Sequence, residues 1–174
     1  LHVHEKNDSQ EICFIPDQDY AGAIEKHCPQ LAMPGLIVDS RGNTLGSHNG
    51  IHNFTIGQRR GLRVAKGVPF YVTKLDAASN TVTLGPRSEL MHKKFTAANV
   101  NWLIDTPAGP FRAKVKIRYN NAGRIATVSP SGDSCQIEFD EPVAAITPGQ
   151  AAVIYIEQYG CNRVAAAGWI NSTC

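Results

Sequence analysis

Phe111-Arg112-Ala113-Lys114-Val115-Lys116-Ile117-Arg118-Tyr119 carries an apolar residue at every odd position and a cation at every even one. Side chains alternate faces along a β-strand. The pattern therefore sends Phe111, Ala113, Val115, Ile117 and Tyr119 into a core and sets four positive charges on the opposite face. Successive cations on such a strand lie ~6.5–7 Å apart, twice the ~3.3 Å rise per residue. Ordinary amphipathic strands mix signs on the wet face, and four like charges only repel one another in an isolated domain. A row of phosphates offsets that repulsion and releases counterions, so the face reads as a nucleic-acid contact.

The surrounding sequence extends the β reading. Short strands are predicted at residues 95–102, 109–119, 123–129, 134–139, 150–156 and near 164–170, separated by turn clusters such as Thr106-Pro107-Ala108-Gly109 and Pro148-Gly149. Strands at this spacing with no helix between them predict a small closed antiparallel barrel, which removes its own edges. Upstream, Leu36-Ile37-Val38 reads as a strand and Asp39-Ser40-Arg41-Gly42-Asn43 as a turn. Residues 70–75 and 81–84 read as a hairpin around 76–80. Residues 1–16 look extended and end in Ile12-Cys13-Phe14-Ile15. Asp17 can cap a short helix bearing Tyr20, Ala23, Ile24 and His27/Cys28, which Pro29 stops. The fold class is thus mostly β. The expected divisions are 1–34, holding the cysteine motif and a short helix; 35–92, a small central β domain; and 93–174, the barrel.

Composition sets limits on the class. The chain has 174 residues, 43% hydrophobic and 18% charged, enough apolar material for a core and too much for a disordered chain. No apolar run approaches the ~18 residues that span a bilayer, and the start, Leu1-His2-Val3-His4-Glu5-Lys6, lacks a signal-peptide core. The absence of an initiator Met suggests a piece of a longer protein. Five scattered cysteines, Cys13, Cys28, Cys135, Cys161 and Cys174, argue against a disulfide framework and for a reducing, cytoplasmic setting. With no CxxC pair, no complete zinc site is expected. The net charge of +2 hides a strong asymmetry: residues 41–118 carry +10 and the two flanks together −8. A polyanionic ligand would meet that local field.

Two further stretches carry chemistry. Asp8-Ser9-Gln10-Glu11-Ile12-Cys13-Phe14 places a thiol in a polar-flanked motif. Leu45-Gly46-Ser47-His48-Asn49-Gly50-Ile51-His52-Asn53-Phe54-Thr55-Ile56-Gly57-Gln58-Arg59-Arg60-Gly61-Leu62 is dense in glycines and hydrogen-bond donors. With Lys116-Ile117-Arg118-Tyr119 and Phe139-Asp140-Glu141-Pro142-Val143-Ala144-Ala145-Ile146-Thr147-Pro148-Gly149-Gln150, they resemble, in order, the central and C-terminal parts of the tRNA-specific 2-thiouridylases. The resemblance runs from about residue 5 to the end. It implies an ATP-dependent sulfurtransferase, in which ATP adenylates C2–O of the wobble uridine and a cysteine persulfide attacks C2, displaces AMP and leaves 2-thiouridine.

By the family's Ser-Gln-x-x-Cys-Phe motif, the persulfide carrier is Cys13. A thiolate is required for that role, so its pKa must fall below the ~8.5 of a free thiol. The resemblance also implies tRNA and a sulfur donor, such as a cysteine desulfurase or sulfur-carrier protein, as partners of a cytoplasmic monomer with no membrane association. Gln58, Arg59 and Arg60, with Arg112, Lys114, Lys116 and Arg118, are the candidate tRNA contacts. His48 reads as a structural, hydrogen-bonded histidine.

The sequence also departs from the family. The ATP-pyrophosphatase loop, Ser-Gly-Gly-x-Asp-Ser, does not occur, so ATP is expected to bind a domain outside these residues and the fragment alone to be inactive. The partner cysteine's motif is absent too, and Ala165-Ala166-Ala167-Gly168 stands where relatives tend to be Gly-rich. Two alternatives remain on residues alone. One is a stand-alone RNA-binding β module with a structural Cys13; the other is a redox protein pairing Cys13 with Cys28.

Overall fold

The computed structural model describes residues 15, 19–62, 64, 69–118 and 122–173. Cys13, Asp17, Tyr119 and Cys174 lie outside the described residues, and with them the cysteine motif. Helix α1 spans Tyr20–His27. Its cap is Asp19, whose Oδ1 accepts a hydrogen bond from Gly22 N at 2.9 Å. This is two residues later than the Asp17 expected from sequence, because the cap must reach the third helical N–H. Pro29 then opens a 3-10 turn, Pro29–Ala32. At eight residues α1 is the longest described helix, and none is long and apolar enough to cross a membrane.

Among the described residues ten strands follow: β1 Gly35–Asp39, β2 Thr44–His48, β3 Tyr71–Asp76, β4 Thr81–Gly85, β5 Met91–Trp102, β6 Phe111–Lys116, β7 Arg124–Ser131, β8 Ser134–Ala144, β9 Ala151–Gln158 and β10 Cys161–Thr173. The first four form a sheet in the order β2-β1-β4-β3, with β1 and β2 antiparallel and β1 and β4 parallel. The last six close into a barrel in the order β10-β5-β8-β7-β6-β9. Packing divides the chain into two compact units. One holds the residues up to Thr55 with Lys74–Leu84; the other holds Ile56–Thr73 with Gly85 to the C-terminus.

In the first unit, local polar chemistry makes the turns. Asp39 Oδ1 accepts from Arg41 N and Asn43 N at 2.9 and 2.8 Å, closing the β1–β2 turn. Asn80 adopts φ 49°, and its Nδ2 donates to the carbonyls of Met33 and Pro34 at 3.0 and 2.9 Å. The Asn80 carbonyl meets His48, a buried side chain whose Nδ1 accepts from Gly50 N at 3.1 Å. That bond fixes the proton on Nε2, which donates to Asn80 O at 3.3 Å. His48 is therefore a structural histidine, as its sequence context predicts. Burial lowers its pKa most; the Asn80 bond acts the other way and nearby His52 lowers it further. Only a glycine fits beside this knot, for a Cβ on Gly35 would overlap Asn80 O and stand 2.6 Å from His48 Nε2.

The barrel of the second unit is filled by one face of each strand. Phe95 and Phe139 stack at 5.8 Å between ring centroids, with Val115, Val128, Ile137, Ile154 and Ile170 around them. Small residues make the remaining space: Ala126, Ala152, Ala165 and Ala166 are fully buried. The Ala-rich departure from the family pattern thus lies within one strand, β10, which pairs on both sides with β5 and β9 and shifts register at Val164/Ala166 and Ala167/Trp169.

Replacing Gly35 by Ala should destabilise the first unit by about 1–3 kcal/mol, since the Asn80 backbone and the buried His48 ring must both move; urea unfolding of Gly35→Ala measures it. His48 gives a pH signature. Its folded pKa lies below the ~6.5 of the unfolded imidazole, so its contribution is full above ~6.5 and is lost as pH falls from there through the folded pKa. Protection factors of β1 and β2 amides, taken relative to the intrinsic exchange rate at each pH, should fall over that window in the wild type, and this pH dependence should flatten in His48→Gln.

Candidate nucleic-acid interface

Along β6 the alternation is the one the sequence spells: Ala113, Val115 and the following Ile117 are buried, while Arg112 and Arg118 are exposed and Lys114 and Lys116 half-exposed. The four cations nevertheless have three different fates. Arg112 forms a two-pronged ion pair with Asp140 of β8, Nη1–Oδ1 2.7 Å and Nη2–Oδ2 2.6 Å, and Nη1 donates to Thr127 Oγ1 on the intervening β7 at 3.1 Å. The hydrogen bonds from Arg112 hold the Asp140 carboxyl below its usual range and raise the guanidinium pKa in turn. Arg118 lies past the strand's end. Its Nη2 donates to Ala145 O at 3.0 Å and lies 3.4 Å from Thr147 Oγ1 and 3.5 Å from Ile56 O.

Lys114 and Lys116 make no ion pair with any described residue. Lys114 stands opposite Ile125 of β7 and Tyr155 of β9, and Lys116 opposite Val153. Gly123, at φ +80°, passes over both lysine stems. A Cβ there would lie 3.0 Å from Lys116 Cγ and 3.1 Å from Lys114 Cγ and Cε. The Gly123 backbone thus packs closely against both stems, where a side chain would crowd them.

Gln58, Arg59 and Arg60 belong to the same compact unit as the barrel. Gly57 N donates to Val72 O at 2.8 Å and Val72 N to Gln58 O at 3.0 Å, so the segment is pinned beside the start of β3. Gln58 Nε2 donates to Arg60 O at 3.0 Å, which folds the amide back onto the loop. Arg59 and Arg60 are exposed and unpaired among the described residues. Arg118, through its contact with Ile56 O, joins this loop to the strand that carries the lysines.

The three described cysteines differ in exposure. Cys135 is fully buried in the barrel, and burial pushes its thiol pKa up to about 11. Cys28 is half-buried at the end of α1, where its N–H donates to Ile24 O, and Cys161 is exposed at the start of β10. Among the described residues no three His, Cys, Asp or Glu side chains gather to hold a metal.

Sequence reading missed Tyr155 and Asn162, which line a hollow of about 180 Å³ together with the two unpaired lysines. Tyr155 lies in the continuous apolar run Ala151-Ala152-Val153-Ile154-Tyr155-Ile156, where periodicity alone cannot say which side faces out. The pairing of Tyr155 with Lys114 decides it.

Residues 22–86 match the family described as tRNA methyl transferase PRC-barrel domain, and residues 92–161 match the Aminomethyltransferase beta-barrel domain. The chain is 45% identical over 172 residues to the tRNA-specific 2-thiouridylase MnmA of Magnetococcus marinus, covering 98% of this chain and 47% of that protein. It is 43% identical over 157 residues to the protein of the same name from Halothermothrix orenii, and 45% identical over 157 residues to that from Acetivibrio thermocellus. Each of these alignments covers 89% of this chain and 44% of the relative. The chain thus spans slightly less than half the length of the curated relatives it matches.

The three fates of the cations give distinct salt responses. Lys114→Ala and Lys116→Ala should each weaken RNA binding and remove ~0.7–0.9 from the slope of log affinity against log salt. Arg112→Ala, whose charge Asp140 already balances, should change the slope far less. Titrations of labelled tRNA across a salt series check both; equal slopes in all four proteins would show that β6 does not meet phosphate.

Proposed function

Because this chain belongs with the tRNA-specific 2-thiouridylases, whose central and C-terminal domains it carries, we propose that it is the persulfide-bearing and tRNA-binding part of an ATP-dependent tRNA sulfurtransferase. The product is 2-thiouridine at the wobble position. The observation that carries this reading is identity of 45% sustained over 98% of the chain, a span that includes the cysteine motif. The surface supports it: two lysines without acid partners on β6, and two exposed arginines in the Gln58–Arg60 loop, offer phosphate contacts within one compact unit.

In this reading Cys13 accepts sulfur from a cysteine desulfurase or carrier protein. Its terminal sulfur passes to C2 of the uridine, and Cys13 is left as one half of a disulfide with a cysteine outside this chain. ATP use belongs to a domain outside these residues. The phosphate loop is absent from the sequence, and α1 opens on the Asp19 carboxylate, which repels phosphate, rather than on a glycine-rich loop. No ATP step is therefore assigned to the residues of this chain. The protein works as a cytoplasmic monomer on tRNA.

The test joins this chain to an adenylating domain, as in the full-length relatives, and follows thiolation by mercury-affinity electrophoresis of the tRNA. Cys13→Ser should lower the rate by at least about 10³-fold, the order expected for loss of a covalent nucleophile, while tRNA affinity stays unchanged. Thiolation at an undiminished rate would leave an RNA-binding β module with a structural cysteine. In parallel, iodoacetamide near pH 8 should label Cys13 ahead of Cys161. Cys135, with its thiol pKa near 11, should stay unlabelled until the barrel unfolds.

A further inference from the structure

We propose that the outer face of the barrel across β6, β9 and β10 holds a single unstacked nucleotide of an RNA strand, its base on the Tyr155 ring and its flanking phosphates on Lys114 and Lys116. This rests on the RNA-binding reading above and adds a site, a platform residue and a conformation of the ligand to it.

Four observations meet there. Tyr155 is the register partner of Lys114, and its ring borders two adjoining hollows. One, of about 430 Å³, is lined by Lys116, Arg118, Gln150 and Val153 among others; the second, of about 180 Å³, is lined by Lys114, Lys116 and Asn162. The larger is within the ~300–1,000 Å³ range of ligand sites. Tyr155 is half-buried, and its hydroxyl makes no hydrogen bond with a described residue, so neither core packing nor a polar partner accounts for it. Lys114 and Lys116 are the β6 cations that no described acid neutralises, and Gly123 packs closely against both their stems. Asn162 is exposed at the rim and offers an amide donor and acceptor to a base edge.

An aromatic ring on one strand, beside two cations spaced two residues apart on the next, offers the two kinds of contact that bind single-stranded nucleic acid. The ring takes a base's π-face and the cations take the phosphates on either side. A duplex offers no base face to such a ring, so the nucleotide must be unstacked, from a loop, a bulge or an unpaired junction. Stacking accepts any base, and the site therefore contributes affinity without sequence preference.

The experiment titrates labelled tRNA, an RNA duplex and adenosine monophosphate with the 174-residue chain and with Tyr155→Ala, Tyr155→Phe and Lys114→Ala with Lys116→Ala. Tyr155→Ala should weaken tRNA binding roughly 5- to 150-fold with the salt slope unchanged. Tyr155→Phe, which keeps the ring, should bind like the wild type. The lysine pair should lower the slope. Duplex binding should be weaker than tRNA binding in the wild type and indifferent to Tyr155. Photocross-linking with a 4-thiouridine-substituted RNA should map to the peptide that contains Tyr155.

Unchanged affinity of Tyr155→Ala, with a reduced slope in the lysine variant, would overturn the stacked nucleotide and leave a phosphate-only RNA face, so the broader reading would survive. Tight Tyr155-dependent binding of adenosine monophosphate that tRNA does not displace would make this a mononucleotide site and overturn the RNA assignment. No tRNA binding by the wild type would overturn both.

Discussion

Closing six antiparallel strands into a barrel removes any choice about which side of each strand faces out. The interior is filled by Phe95, Ala113, Val115, Ala126, Ile137, Phe139 and Ile154, all of them at most about one-twentieth exposed. Side chains alternate with a period of two, so a slip of one residue between β6 and either neighbour would turn Lys114 and Lys116 into that interior. Burying an unpaired ammonium costs several kcal/mol even after relaxation, which is a large fraction of a domain's net stability. The register of β6 against β7 and β9 is therefore fixed by the same alternation that puts its cations on the surface. The charged face is a consequence of the core.

What that face tolerates can be sized. Two unit charges roughly 7 Å apart in water repel by about 0.6 kcal/mol, and physiological salt, with a Debye length of about 8 Å, reduces it further. Leaving Lys114 and Lys116 unpaired is thus a minor cost to folding. The fold nevertheless answers Arg112 with Asp140 from β8 and Arg118 with the carbonyl of Ala145, while the two lysines between them are answered by nothing among the described residues. The positive strip is narrower than the sequence implies, and better defined, because its flanks are already committed to intramolecular bonds.

Much of this was legible in the sequence, for reasons that can be named. The β6 alternation and the turn-punctuated strands after it depend on local periodicity, which a barrel respects because every strand has one wet side. The turns at Asp39 and Asp76 depend on side chains bonding their own backbone. What was not legible is what spans distance. The parallel pairing of β1 with β4 joins strands that are not neighbours in the chain. The knot of Gly35, His48 and Asn80 brings together residues up to 45 positions apart, and Asp140 reaches Arg112 across 28. Tyr155 was hidden for a different reason: both faces of β9 are apolar by sequence, and only its pairing partners distinguish inside from outside. The catalytic candidate shows the converse case, since Cys13 is legible as a motif alone.

The distribution of roles follows from the chemistry each part can offer. Phosphate contacts by lysine and arginine place a nucleic acid without reading it, and an aromatic platform accepts any base. On the proposed function, a barrel equipped in this way would raise the time RNA spends in one orientation and leave the choice of RNA to groups that meet base edges. Sulfur transfer has the opposite requirement. It needs one thiolate brought to one carbon, and a buried thiol such as Cys135, held protonated by its surroundings, is unfit for it however close it lies to the RNA. On the proposed function, then, the barrel's contribution to rate is positional. It would fix the strand, and the reacting thiol would come from a segment far from the barrel in sequence.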